Sequence, residues 1–102
     1  MSLIYKIVAE SAWKTAEAAG VFYGAEIDLA DGFIHFSSAE QLAETAAKHF
    51  AGRTDVLLVE VESAALGLDL KWEPSRGGAL FPHLYGELPL RHVRSVRKFS
   101  SV

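Results

Sequence analysis

The sequence predicts a single α+β domain, on three observations. Asp31-Gly32-Phe33-Ile34-His35-Phe36-Ser37-Ser38 alternates apolar and polar residues in the manner of a half-buried strand. Val56, Leu57, Leu58, Val59 and Val61 form a near-continuous apolar run, the pattern of a strand covered on both faces. Between the two, Ser37 is followed three residues later by Glu40, and Ser38 by Gln41, and either pair fits the reciprocal capping of a helix start. Two helices ahead of a strand-rich second half make the class α+β.

Ile4 to Val8, β-branched and aromatic, reads as the opening strand. A first helix should follow, with Ser11 as N-cap, Trp13 and Ala16 on one face and Gly20 in the left-handed position at its end. Val21 to Ala30, containing Phe22-Tyr23-Gly24, is expected to be a loop or irregular strand. Asp31-Gly32 is a turn signal that launches a strand from Phe33 to Ser37, sending Ile34 and Phe36 into the core and leaving Phe33, His35 and Ser37 on the opposite face. The second helix carries the stripe Ala39, Leu42, Ala43, Ala46, Ala47 and Phe50 and is closed by Gly52. Asp55 to Glu62 is the strongest strand and is expected at the centre of a sheet. Leu70 to Glu73 is a short strand, the Pro/Gly stretch after it a long loop, and Arg91 to Phe99 a last strand of mixed polarity. No repeat, linker or low-complexity tract divides residues 1–102.

A chain of 102 residues can bury one core but not two. Its 50% hydrophobic residues are ample for a core, and its 23% charged residues argue against disorder. A net charge of -3 gives no general electrostatic case for a nucleic-acid partner. Arg91, Arg94, Arg97 and Lys98, with no acid after Glu87, are the local exception. They read as an edge strand guarded by cations or, less simply, as an anion track. Zero cysteines rule out disulfides and thiolate metal sites and fit a reducing cytoplasm. The opening apolar run is short and interrupted by Lys6, so neither a signal peptide nor a membrane span is expected there. A cytoplasmic protein without a membrane partner, monomeric or weakly dimeric, is the expectation.

Two polar stretches look like halves of one site. His35 and Ser37 stand just before a helix N-terminus, where free N–H groups favour an anionic or acceptor-rich ligand. The other stretch runs from Trp72 to Gly86. Within it, Arg76-Gly77-Gly78 sets a guanidinium fork beside open backbone, suited to phosphate or carboxylate. His83 and Tyr85, one residue apart, point the same way in an extended segment while Leu84 enters the core, and Tyr85 can stack on a planar ring. Glu73 and Glu87 are the nearby acids available as a general base. The plainer alternatives are a core histidine, a capping serine and a surface turn with a solvated arginine. No pair among His35, His49, His83 and His92 has a metal-ligand spacing such as i, i+4, so no metal site is expected. With no G-x-S-x-G and no Cys, a nucleophilic enzyme is not indicated.

These residues resemble a known family of small bacterial proteins, domain of unknown function 952. The likeness rests on Ile4-Tyr5-Lys6-Ile7, Trp13, Asp31 to Ser37, Gln41 to Phe50 with Thr45 and His49, Leu57 to Val61, Trp72-Glu73 and Phe81 to Gly86. It implies an ADP-ribosyltransferase-like fold, with two early helices and antiparallel or mixed strands in a split, curved sheet. His35-Phe36-Ser37 is similar to the His-Leu-Ser strand end of the RNA 2'-phosphotransferases, and Lys6 stands where those enzymes often carry His or Arg. By that resemblance the cleft binds NAD as substrate, or an ADP-ribosyl or nucleotide phosphate group, for a transferase of ADP-ribosyl or phosphoryl type. His35, Glu73 and His83 become the catalytic candidates, with His35 on a ribose hydroxyl and Glu73 as acid or base. Ser37, Trp72, Ser75, Arg76, Gly77 and Tyr85 become the ligand-binding candidates, with Arg76 on phosphate and Tyr85 stacking. The alternative is a non-catalytic module on the same fold for a small anion or a protein segment.

Overall fold

Val56, Leu58, Val59 and Val61 are all buried, because the strand that carries them is covered on both sides. The computed structural model describes residues 2–99. In chain order these form β1 (Leu3–Ala9), α1 (Glu10–Ala19), β2 (Val21–Phe22), α2 (Glu26–Asp31), β3 (Ile34–His35), β4 (Ser37–Ser38), α3 (Ala39–His49), β5 (Val56–Glu62), β6 (Leu70–Pro74), β7 (Leu80–Leu84), β8 (Leu88–Pro89) and β9 (Val93–Phe99). Short 3-10 turns occupy Ser63–Asp69, Arg76–Gly78 and Leu90–His92. The strands make a four-stranded sheet in the order β4-β1-β5-β9, a β2-β8 pair and a three-stranded sheet β3-β7-β6, all antiparallel.

Residues of β5 alternate between two apolar clusters. Val56 and Leu58 pack with Ile7 of β1 and Ala46 of α3, backed by Leu42, Phe50 and Phe99. Val59 and Val61 face the larger cluster of Ile4, Val8, Trp13, Ala16, Phe22, Ile34, Phe36, Leu84 and Leu88. The apolar side of the three-stranded sheet, carrying Ile34 and Leu84, thus closes over the four-stranded sheet and α1. Among the described residues no helix is long and apolar enough to cross a membrane.

Of the two expected capping boxes at α3, Ser38 with Gln41 forms. The Gln41 N–H donates to the Ser38 hydroxyl at 3.3 Å, and the Ser38 N–H donates to the Gln41 side-chain oxygen at 3.0 Å. The Gln41 amide also donates to the Leu80 carbonyl at 2.7 Å, tying α3 to β7. α1 ends as expected at a left-handed Gly20, φ 79°, but it starts at Glu10 with Ala9 as cap rather than at Ser11.

Three expectations are corrected. Residues 26–31 are a helix rather than loop or irregular strand, because the Asp28 side chain accepts the Ala25 N–H at 2.7 Å and Gly32, φ 87°, closes the last turn. The chain therefore has three α-helices among its described residues rather than two. Residues 80–84 are a strand rather than part of a long loop, since β7 gains pairing on both edges, from β3 and β6. The strand expected from Phe33 to Ser37 is broken at Phe36. His35 pairs with His83 in the three-stranded sheet, whereas Ser37 pairs with Tyr5 in the four-stranded one. Phe36, whose N–H donates to the Pro82 carbonyl at 3.0 Å, is the crossing point.

Removing the α3 cap by Ser38→Ala is expected to cost about 1 kcal/mol. Urea unfolding should show a lower midpoint with an unchanged slope.

Candidate functional site

One face of the three-stranded sheet is polar, and it gathers most of the residues singled out by sequence. His35 and His83 lie directly opposite one another in the β3-β7 register, and Lys71 lies opposite His83 in the β7-β6 register. Residues two apart share a face, which adds Phe33, Glu73 and Tyr85 to this side and leaves Ile34, Leu70, Pro82 and Leu84 on the other. The Phe33 ring is the hub. It stacks on His83 at 4.1 Å between centroids and tilts against His35 at 4.5 Å and Tyr85 at 5.3 Å. The His35 and His83 rings meet edge-on at 5.6 Å.

Each histidine is backed by a carboxylate. On one side stands Asp28 of α2, whose side chain is 1% exposed. Its Oδ1 accepts from His35 Nδ1 at 2.6 Å, the His35 N–H at 3.1 Å and Lys6 Nζ at 3.2 Å, while Oδ2 takes the Ala25 N–H and lies 3.0 Å from Lys6 Nζ. Lys6, buried on β1, also donates to the His35 carbonyl at 3.0 Å. Burial pushes the Asp28 carboxyl upward, but the His35 hydrogen bond, the Lys6 charge and the two backbone donors override it and hold Asp28 at about 2. Burial pushes the Lys6 ammonium below its usual range, against the opposing pull of Asp28. Gly24 is required here: its φ is +122° and an added Cβ would stand 2.9 Å from the Asp28 Cβ.

The outward nitrogen of His35, Nε2, meets the exposed Asp31 carboxylate at 3.0 Å. Carboxylates only accept, so a doubly protonated ring satisfies both contacts at once, and a neutral ring donates to one of them. On the other side, Glu73 Oε1 accepts from buried His83 Nδ1 at 2.8 Å and from the Tyr85 hydroxyl at 2.7 Å. The Tyr85 and His83 hydrogen bonds hold the Glu73 carboxyl below its usual range, and donating to Glu73 raises the Tyr85 hydroxyl. A hollow of about 300 Å³ opens beside Phe33, with Asp28, Tyr23, Leu29 and Gly86 among its walls. Among the described residues no three His, Asp or Glu side chains are grouped to hold a metal ion.

Of the candidates named from sequence, His35, Glu73, His83 and Tyr85 come together. Ser37 does not. It is 5% exposed and bonds the Thr45 hydroxyl at 2.9 Å, because the crossing at Phe36 carries it to the other sheet. Trp72 leaves the face as well. Alternation along β6 turns it away from Glu73, and it lines a separate groove of about 670 Å³ with Tyr5, Gln41 and Leu80. Ser75 and Gly77 form the β6-β7 hairpin tip, where the Ser75 N–H donates to the Ala79 carbonyl at 2.9 Å and Gly77 has φ 67°. The Arg76 side chain lies outside the described residues. Asp28 and Asp31 were not foreseen. α2 exposes Ile27 and Leu29, so it shows no apolar stripe, and the only local signals were Gly32 and an acid in the first turn.

The low Asp28 value contributes to the acid limb of stability. Its folded value lies below the ordinary 3.8, so its contribution is complete above that pH and is lost as pH falls through about 2. The difference corresponds to roughly 2 kcal/mol. Urea unfolding across this range should show that loss in the parent chain and not in Asp28→Asn. At neutral pH the variant should be less stable by roughly 3–5 kcal/mol, since Lys6 is left buried without its counter-ion.

Comparison with known proteins agrees with the α+β architecture. The chain is similar to protein CC0527 from Caulobacter crescentus, with 52% identity. The X-ray crystal structure of that protein matches at a TM-score of 0.92, covering 95% of this chain and 85% of the other. Its solution NMR structure matches at 0.88, covering 98% and 86%. No curated protein matches. A family model described as a protein of unknown function, DUF952, matches residues 7–96. Since that match spans most of the sequence, the chain belongs to the DUF952 family.

Proposed function

We propose that the polar face around Phe33 binds a nucleotide-type ligand, NAD or an ADP-ribosyl group, with His35 as the central donor. The observation that carries this reading is the way His35 is held. Its Nδ1 is anchored by a buried carboxylate and its Nε2 is already met by an anionic oxygen, from exposed Asp31. A ribose hydroxyl or phosphate oxygen taking the place of Asp31 would keep that hydrogen bond while gaining a fixed donor. Phe33 and Tyr85 offer ring surface for stacking, and the hollow beside Phe33 offers a place for a planar group. The ADP-ribosyltransferase-like fold implied by the family resemblance is part of the same reading.

Binding is favoured over catalysis by the state of Glu73. A carboxylate that accepts from both His83 and Tyr85, and is held below its usual range, is a weak base and is ionised at neutral pH, so it is no proton donor. A non-catalytic module with this cleft is therefore the better-supported form of the proposal, and ADP-ribosyl transfer is the further step that turnover would establish.

Amide NMR titration with NAD, ADP-ribose, nicotinamide and inorganic phosphate tests it. Shifts should cluster at Phe33, His35, His83 and Tyr85. His35→Ala should weaken binding at least roughly tenfold, as expected for loss of one charge-assisted hydrogen bond. Asp31→Ala should tighten it severalfold by removing the competing carboxylate. Unchanged affinity in His35→Ala would refute the assignment, and release of nicotinamide from labelled NAD would replace the binding-only form with a catalytic one.

A further inference from the structure

β9 has a strand neighbour on one side only. It pairs with β5 from Val56↔Phe99 through Glu60↔Ser95, and among the described residues no strand lies along its outer edge. The register irregularity at Glu60/Val61 displaces the chain around Arg94 and leaves residues 95–99 regular. An open edge of this kind presents alternating N–H and C=O groups, a template for one more strand.

Charge narrows what that strand can be. Between Leu88 and Phe99 lie Arg91, Arg94, Arg97 and Lys98 and no acid, in a chain whose net charge is -3. Lys98 is paired with Glu10. The three arginines are exposed and form no ion pair among the described residues. Val96 between them is 39% exposed, an apolar side chain that an added strand could cover. A second copy pairing through the same edge would bring Arg94 and Arg97 of both chains together, so these charges oppose self-association. A nucleic-acid backbone would match the charge but supplies phosphate acceptors only, leaving the edge carbonyls without donors. An extended peptide supplies both.

We propose that the outer edge of β9 binds an acidic, extended peptide segment by strand addition, with its carboxylates on Arg94 and Arg97. The cations that keep another copy away thereby select the partner. The interaction is separate from the Phe33 face and stands whether or not that face binds a nucleotide.

Amide NMR of the full chain at low ionic strength and neutral pH tests this, using a hexapeptide alternating valine and glutamate and a counterpart alternating valine and lysine. The acidic peptide should shift the amides of residues 95–99 and slow their hydrogen exchange, and the basic one should not. Exchanging both charges in Arg94→Glu/Arg97→Glu should weaken the acidic peptide roughly tenfold or more, as two lost ion pairs imply, and should admit the basic one. No response at millimolar peptide, equal response to both peptides, or undiminished binding of the acidic peptide to the charge-exchanged variant would overturn the proposal. So would a single-stranded oligonucleotide that displaces the acidic peptide from residues 95–99, which would identify an anion track instead.

Discussion

The buried carboxylate of Asp28 is the constraint on which the rest of the site depends. Through its two oxygens it holds Lys6 of β1, the start of α2 at Ala25, and both the backbone and the ring of His35 in β3. Three elements from different parts of the chain are thereby locked to one point with almost no access to water. Such a cluster is expensive to bury and holds only if each member is satisfied. Here every oxygen of Asp28 has more than one donor, and the Lys6 ammonium has a backbone carbonyl in addition to its counter-ion. The result is an imidazole whose orientation is decided from behind, with its outer nitrogen turned to the exposed Asp31 carboxylate.

The second carboxylate has a different setting. Glu73 is part-exposed and shared by His83 and Tyr85, so it fixes two side chains relative to each other across the hairpin rather than anchoring them to the core. Phe33 joins the two halves by contact with His35, His83 and Tyr85. One half is therefore anchored by a buried carboxylate and the other by a part-exposed one. That asymmetry places the stronger positional demand on His35, and it agrees with reading the face as a place of recognition more than of proton transfer.

Local patterns in the sequence announced the elements that obey a single rule. The two-sided apolar run of β5, the Ser38-Gln41 cap and the left-handed Gly20 each follow from neighbours within a few residues. His35, His83 and Tyr85 were legible as a group because alternation alone puts them on one face once β3 and β7 pair. Trp72 is turned away from Glu73 by simple alternation along β6, whereas Ser37 leaves the face for a nonlocal reason. The chain changes sheets at Phe36, and no period in the sequence marks such a crossing. α2 went unseen because what holds it is one buried polar contact, not an apolar stripe. Lys6 and Asp28 are separated by more than twenty positions, and only the fold reveals that they are partners.

In the proposed binding mode Asp28 fixes His35 so that Nε2 faces the ligand. Long-range proton–nitrogen correlation of the His35 imidazole, recorded before and after addition of ADP-ribose, tests it most directly. Nδ1 should carry a proton throughout, bonded to Asp28, and only the Nε2 signal should move on addition of ADP-ribose. An unprotonated Nδ1, or an imidazole indifferent to ADP-ribose while other parts of the chain respond, would contradict it.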